Sequence, residues 1–92
     1  MKERKLMFKI WAKTIKNHKI LQSYLYHSAD KFNPDDFLYY LTDICHDMDI
    51  PTPVILSSHV KNYTQFNIAK FRSTDFVEHV GFDLLQLENA SE

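Results

Sequence analysis

Five histidines (His18, His27, His46, His59 and His79) and Cys45 are enough, by count, to hold a zinc ion. A zinc site is specified by spacing, however, because ligands from one turn or helix must reach the same ion. No Cys-x-x-Cys, His-x-x-x-His or His-Glu-x-x-His pattern is present. Ser57-Ser58-His59 sets hydroxyl beside imidazole, but nucleophile and base meet in space rather than as chain neighbours, and Ser58 reads better as a helix cap. Cys45 falls on an apolar helical stripe, where a free cysteine packs as a small hydrophobe and its thiolate is disfavoured. Carboxylates pair up at Asp35/Asp36, Asp43/Asp47/Asp49, Asp75/Glu78 and Asp83/Glu88, yet none belongs to a glycine-kinked calcium loop. Gly81 is the single glycine, so glycine-rich phosphate and dinucleotide loops are excluded. The sequence therefore predicts no catalytic residue, no metal ligand and no cofactor.

Two constellations remain. Lys5, Lys9, Trp11 and Lys13 share one parity of an alternating segment, so a strand there projects cations and an indole from one sheet face. Ammonium groups pair with phosphates while a base stacks on an aromatic ring, the chemistry that single-stranded nucleic acid needs. Tyr24 or Tyr26 on a neighbouring strand would widen that platform. Lysines on a sheet face also guard against aggregation, so a purely structural role accounts for the same residues. The second constellation is Tyr39, Tyr40, Asp43 and Asp47, which lie off the apolar stripe of a helix. Tyrosine suits protein interfaces because it buries a large area at small entropic cost. Asp43 and Asp47 are four apart and share a face, either as a solvated flank or as a docking surface for a basic partner.

The elements that position these residues are written with unequal clarity. Leu6, Phe8, Ile10, Ala12 and Thr14 alternate with the basic residues, the period of a strand with one buried face. Asn17-His18-Lys19 breaks the pattern and Ile20 to His27 resumes it, which predicts a hairpin. The second strand lacks a clean parity, as expected if it is covered on both sides or central in a sheet. Asn33-Pro34-Asp35-Asp36 writes a helix start: a cap, a proline whose missing donor costs nothing there, and negative charge at the positive end of the dipole. Phe37, Leu41, Ile44, Cys45 and Met48 then form one stripe, and Pro51 and Pro53 are expected to end the helix. Val54-Ile55-Leu56 reads as a short strand or extended connector. A second, shorter helix is expected near 58–67, capped by Ser57 or Ser58, with Val60, Tyr63 and Phe66 on its stripe. Residues 68–71 fit either a continuation of it or a strand. A closing strand is expected near 82–88.

Composition bounds the rest. In 92 residues, 45% are apolar and 14% aromatic with a net charge of −1, which excludes a disordered chain and indicates one folded domain. Residues 1–5 and 89–92 are expected to fray. One cysteine makes no intramolecular disulfide, and no apolar run suits a signal peptide or a membrane span. A cytoplasmic setting without membrane contact is the expectation. Residues 1–20 carry seven Lys/Arg against Glu3, whereas residues 21–92 carry four against eleven acidic residues. Such asymmetry arises when a basic strand lies beside an acidic element of the same fold, or when a partner is anionic.

Asp49-Ile50-Pro51-Thr52-Pro53, Leu56, His59, Asp75-Phe76-Val77-Glu78 and Phe82-Asp83, with the basic Trp-containing first strand, resemble a family of small clostridial (Firmicutes) proteins of unknown function. The resemblance implies a bacterial cytoplasmic protein and carries no activity or site residue with it. From the residues themselves, the expected fold is a small two-layer α+β domain. An antiparallel sheet of three or four strands is packed by one main helix and a second short one. The expected function is a non-enzymatic protein-interaction or self-association module. It would use Tyr39, Tyr40, Asp43 and Asp47, or an open face or edge of the sheet. The alternative is a nucleic-acid-binding protein using Lys9, Trp11 and Lys13.

Overall fold

Period-two burial in the first strand sets the architecture. In the computed structural model, which describes residues 8–91, β1 (Phe8–Lys16) buries Phe8, Ile10, Ala12 and Thr14 and turns Lys9, Trp11, Lys13 and Ile15 to the opposite face. Lys5 and Leu6 lie outside the described residues. Asn17 and His18, both at positive φ (52° and 67°), turn the chain into β2 (Lys19–Ser28). Two consecutive left-handed residues match the twist of a tight hairpin. The turn is further tied by the Asn17 N–H, which donates to the Asp83 carboxylate at 2.9 Å.

Four strands form one antiparallel sheet in the order β2-β1-β4-β3, with β3 spanning Ile68–Arg72 and β4 Leu84–Asn89. Residues 68–71 are thus strand. The missing parity of the second strand has a specific cause, and it is neither double cover nor a central position. Thr14 pairs with Gln22 but Ile15 with Ile20, so Leu21 is an extra residue that shifts the alternation. Beyond this bulge Gln22, Tyr24 and Tyr26 share the helix-covered face with Thr14, Ala12 and Ile10, and β2 is an edge strand. At the other end the chain is bonded as far as Ser91: Ala90 N–H donates to Lys9 C=O and the Ser91 hydroxyl accepts from Lys9 N–H.

Helix α1 (Phe37–Met48) follows a single 3-10 turn at Pro34–Asp36, where the Asn33 side chain accepts from the Asp35 N–H at 3.0 Å. The helix stops before the prolines. Asp49 is left-handed (φ 60°), its N–H donates to His46 C=O, and Ile50 N–H reaches back to Cys45 C=O. This closing pattern satisfies orphan carbonyls without help from proline. Val54-Ile55-Leu56 is a connector, pinned by a 2.8 Å bond from Val54 N–H to Asp75 C=O. Helix α2 (Ser57–Phe66) starts one residue before the expected 58, and His59 rather than a serine closes its first turn: its Nδ1 accepts from Leu56 N–H at 2.9 Å. It buries His59 and Tyr63 but leaves Phe66 exposed, contrary to the expected stripe.

Both helices lie on one face of the sheet, and the core between the layers unites Phe8, Ile10, Phe37, Leu41, Ile44, Phe71, Leu85 and Leu87. Aromatic rings close one end, with Phe8, Phe32, Tyr40 and Tyr63 at centroid separations near 5 Å (4.9 Å for Phe8–Tyr40). Leu41 is fully buried and Leu38, three residues earlier on α1, is 59% exposed. Leu41→Ala should therefore lower stability by roughly 2–5 kcal/mol, while Leu38→Ala stays within about 0.5 kcal/mol. Urea melts of the two variants check this, and equal losses would show that α1 is rotated from this seat.

Candidate functional site

The residues with the most reactive side chains are committed to packing. Cys45 is fully buried, and burial pushes its thiol up to about 11, against a smaller lowering by a hydrogen bond with Thr52. It is a poor nucleophile there. His59 is buried with its ring 4.2 Å from that of Phe71. Its Nδ1 takes the Leu56 N–H, and its Nε2 faces Asp75 Oδ2 at 3.5 Å. Asp75 in turn accepts from the Arg72 N–H at 2.9 Å. Backbone donor, ring and carboxylate thus form a tie between α2 and the end of β3, with Nδ1 taken up by the Leu56 N–H and Nε2 turned to Asp75. Among the described residues no three His, Cys, Asp or Glu side chains cluster to hold a metal ion.

Tyr39, Tyr40, Asp43 and Asp47 do not form one surface. Tyr40 is a correction to the sequence reading: it is 5% exposed, stacked among Phe8, Tyr26 and Phe32, and its hydroxyl accepts from Asn33 N–H at 3.1 Å. At i+3 from Phe37 it widens the buried stripe. Tyr39, 64% exposed, stays outside. With Asp43 and Asp47 it falls at i, i+4 and i+8, along the flank of α1 that overhangs β2. Tyr24 and Tyr26 reach up to that flank: the Tyr24 hydroxyl donates to Asp47 Oδ2 at 2.6 Å and the Tyr26 hydroxyl to Asp43 Oδ2 at 3.3 Å. Gln22 Nε2 adds a bond to Met48 C=O at 2.9 Å. The bond to Asp47 is the main cause raising the Tyr24 hydroxyl, and burial, followed by the charge of Asp43, pushes Tyr26 up to about 12. These tyrosines are therefore not part of the Trp11 platform; they lie on the other side of the sheet.

The uncovered sheet face carries Lys9, Trp11 and Lys13 together, as their shared parity requires. Trp11 is 43% exposed between Leu25 of β2 and Glu88 of β4. Lys13 is drawn inward. Its Nζ lies 2.5 Å from Glu88 Oε1 and 4.0 Å from the Trp11 ring centroid. Lys70 and Arg72 of β3 share this face.

Sequence reasoning named an open face or edge of the sheet without placing it; one such edge is the outer side of β2. From Ile20 to Ala29 no Lys, Arg, Asp or Glu interrupts the chain, and Ile20, Leu21 and Leu25 are about half exposed (56%, 57% and 47%). The other edge, β3, is five residues long and carries Lys70 and Arg72. The lack of charge in 20–29 was the available signal.

No protein-family model, curated protein or solved structure matches the chain.

The Lys13 ammonium, by hydrogen bond and then by charge, holds the Glu88 carboxyl below its ordinary 4.5 against an opposing effect of burial. Because the native value lies below the unfolded one, the pair contributes stability above the unfolded pKa and loses it as pH falls through the native value. Glu88 is about a third exposed, so the contribution is small, under about 1 kcal/mol. Glu88→Gln should be slightly less stable than wild type at pH 7 and lose less stability on acidification. Urea melts at neutral and acid pH test this, and identical pH dependences would show that the ion pair contributes nothing.

Proposed function

We propose that this chain is a non-enzymatic protein-interaction module whose docking surface is the β2 edge together with the Tyr39–Asp43–Asp47 flank of α1. The supporting observation is the asymmetry of the two sheet edges. A ten-residue edge strand with a single charged residue, Lys19, presents a row of unpaired backbone donors and acceptors to anything extended. The short opposite edge is guarded by two cations. The module works by strand addition, in which main-chain hydrogen bonds supply affinity and alternate side chains supply selectivity. The commitment of Cys45 and His59 to packing favours this reading over an enzymatic one. No described helix is long and apolar enough to cross a membrane.

Leu25→Lys places a guard on the edge, and Tyr39→Ala trims the flank; both positions are exposed, so each variant should keep wild-type stability within about 0.5 kcal/mol. Leu25→Lys should reduce partner capture, or dimerisation measured by sedimentation, at least tenfold, with a smaller loss for Tyr39→Ala. Undiminished association in Leu25→Lys would remove β2 from the interface.

The uncovered face supports a second reading, a single-stranded nucleic-acid site at Lys9, Trp11 and Lys13. Trp11 is half exposed with cations around it, but Lys13 is already neutralised by Glu88, and among the described residues no second Phe, Tyr or Trp joins it on that face of the sheet. If this reading holds, a single-stranded oligonucleotide at low salt quenches Trp11 fluorescence, and both salt and Lys9→Glu abolish the response. An unchanged emission and polarisation at excess oligonucleotide dismisses it.

A further inference from the structure

Two hydrogen bonds fix how α1 sits over β2. Asp47 and Asp43 of the helix meet Tyr24 and Tyr26 of the strand, so helix and strand run in opposite directions in step. Four residues of helix advance about 6 Å. Two residues of strand advance about 6.6–6.8 Å. The two repeats agree, and that agreement lets both phenols reach both carboxylates. A strand added outside β2 has the same advance. Residues two apart along it, on the side of the helix layer, would then face Asp43 and Asp47.

Those carboxylates have capacity to spare. Each accepts one phenolic hydroxyl, and an ionised carboxylate has about four acceptor sites. The ion pairs among the described residues are Lys13–Glu88 and His59–Asp75, so neither Asp43 nor Asp47 is met by a cation there. On the other side of the sheet, the intervening residues of an added strand would lie beside Leu25, with Trp11 one strand further in.

We infer that the β2 edge accepts an extended segment of a partner protein in which Lys or Arg recurs at every second position, with apolar residues between them. The basic side chains lie under α1 and pair with Asp43 and Asp47, and the apolar ones extend the Leu25–Trp11 patch. This rests on the reading of β2 as the docking edge and adds the chemistry of the occupant. A second copy of the chain suits the site less well. Antiparallel pairing of β2 with itself about a two-fold axis keeps both helix layers on the same side. It would then set Asp43 and Asp47 of one copy against those of the other, and like charges facing across strands are unfavourable.

The probe is a capped heptapeptide alternating lysine and valine, compared with one in which glutamine replaces lysine. Binding is read from amide shifts and hydrogen exchange along β2 at low salt. The lysine peptide should protect β2 amides and bind at least tenfold more tightly than the glutamine peptide. That preference should shrink in salt and disappear in the Asp43→Asn, Asp47→Asn double variant, whose side-chain oxygens still accept the tyrosine hydroxyls. Equal binding of both peptides to β2 would overturn the basic partner and leave the docking edge standing. A concentration-dependent dimer that protects β2 and is dispersed by Leu25→Lys would overturn it in favour of a second copy. Failure of both peptides to protect β2, with partner capture intact in Leu25→Lys, would overturn the edge itself.

Discussion

One-sided burial of the sheet is the constraint on which the rest depends. Ile10 and Ala12 of β1 and Leu85 and Leu87 of β4, the two central strands, are at 0% exposure, and each alternates with a residue on the face no helix covers. A chain of this size has helical residues for one layer only, so covering one face leaves the other bare. Because α1 seats over the β1–β2 ribbon and α2 toward β3, the layer above β2 ends in the flank of α1. The bare face, the open edge and the acidic overhang all follow from where that single layer stops.

The parts of this arrangement governed by local periodicity could be read from sequence. The alternation of Phe8 to Thr14, the capped start at Asn33 and the stripe from Phe37 to Met48 each answer to one face of one element. What could not be read depends on partners distant in sequence. Tyr40 is polar at its tip and could as well have faced water; it is buried because Phe8, Tyr26 and Phe32 arrive from elsewhere and Asn33 N–H meets its hydroxyl. The bulge at Leu21 is a property of the pairing with β1, invisible in β2 alone. His59 became a cap because Leu56 N–H and Asp75 converge on its two nitrogens, which no serine-first rule of helix starts anticipates.

Charge asymmetry along the chain resolves the same way. Part of it is internal: Lys13 of the basic strand and Glu88 of the last strand neutralise one another across adjacent strands. Part of the rest is segregated by layer. Lys9, Lys70 and Arg72 stand on the bare face, and Asp43 and Asp47 on the helix side of the β2 edge. Cations and carboxylates so separated by the thickness of the sheet cannot neutralise one another.

An edge strand of ten residues whose single charge is Lys19 at its start is a hazard unless something opposes indiscriminate pairing. Here the opposition is not on the strand. Strands that guard their own edge place lysine among the ladder residues, which repels every incoming strand of like charge and disturbs pairing in general. Carboxylates hung above the edge by phenolic hydrogen bonds act differently: they leave the backbone ladder free and judge the incoming strand only by the side chains beneath α1. On the docking proposed above, acidic and self-derived strands would meet repulsion, whereas basic ones would gain charge-assisted hydrogen bonds in a partly shielded site. On the proposed docking at this edge, the same two aspartates that seat the helix would also discriminate among incoming strands, so seating and selectivity would rest on one pair of contacts.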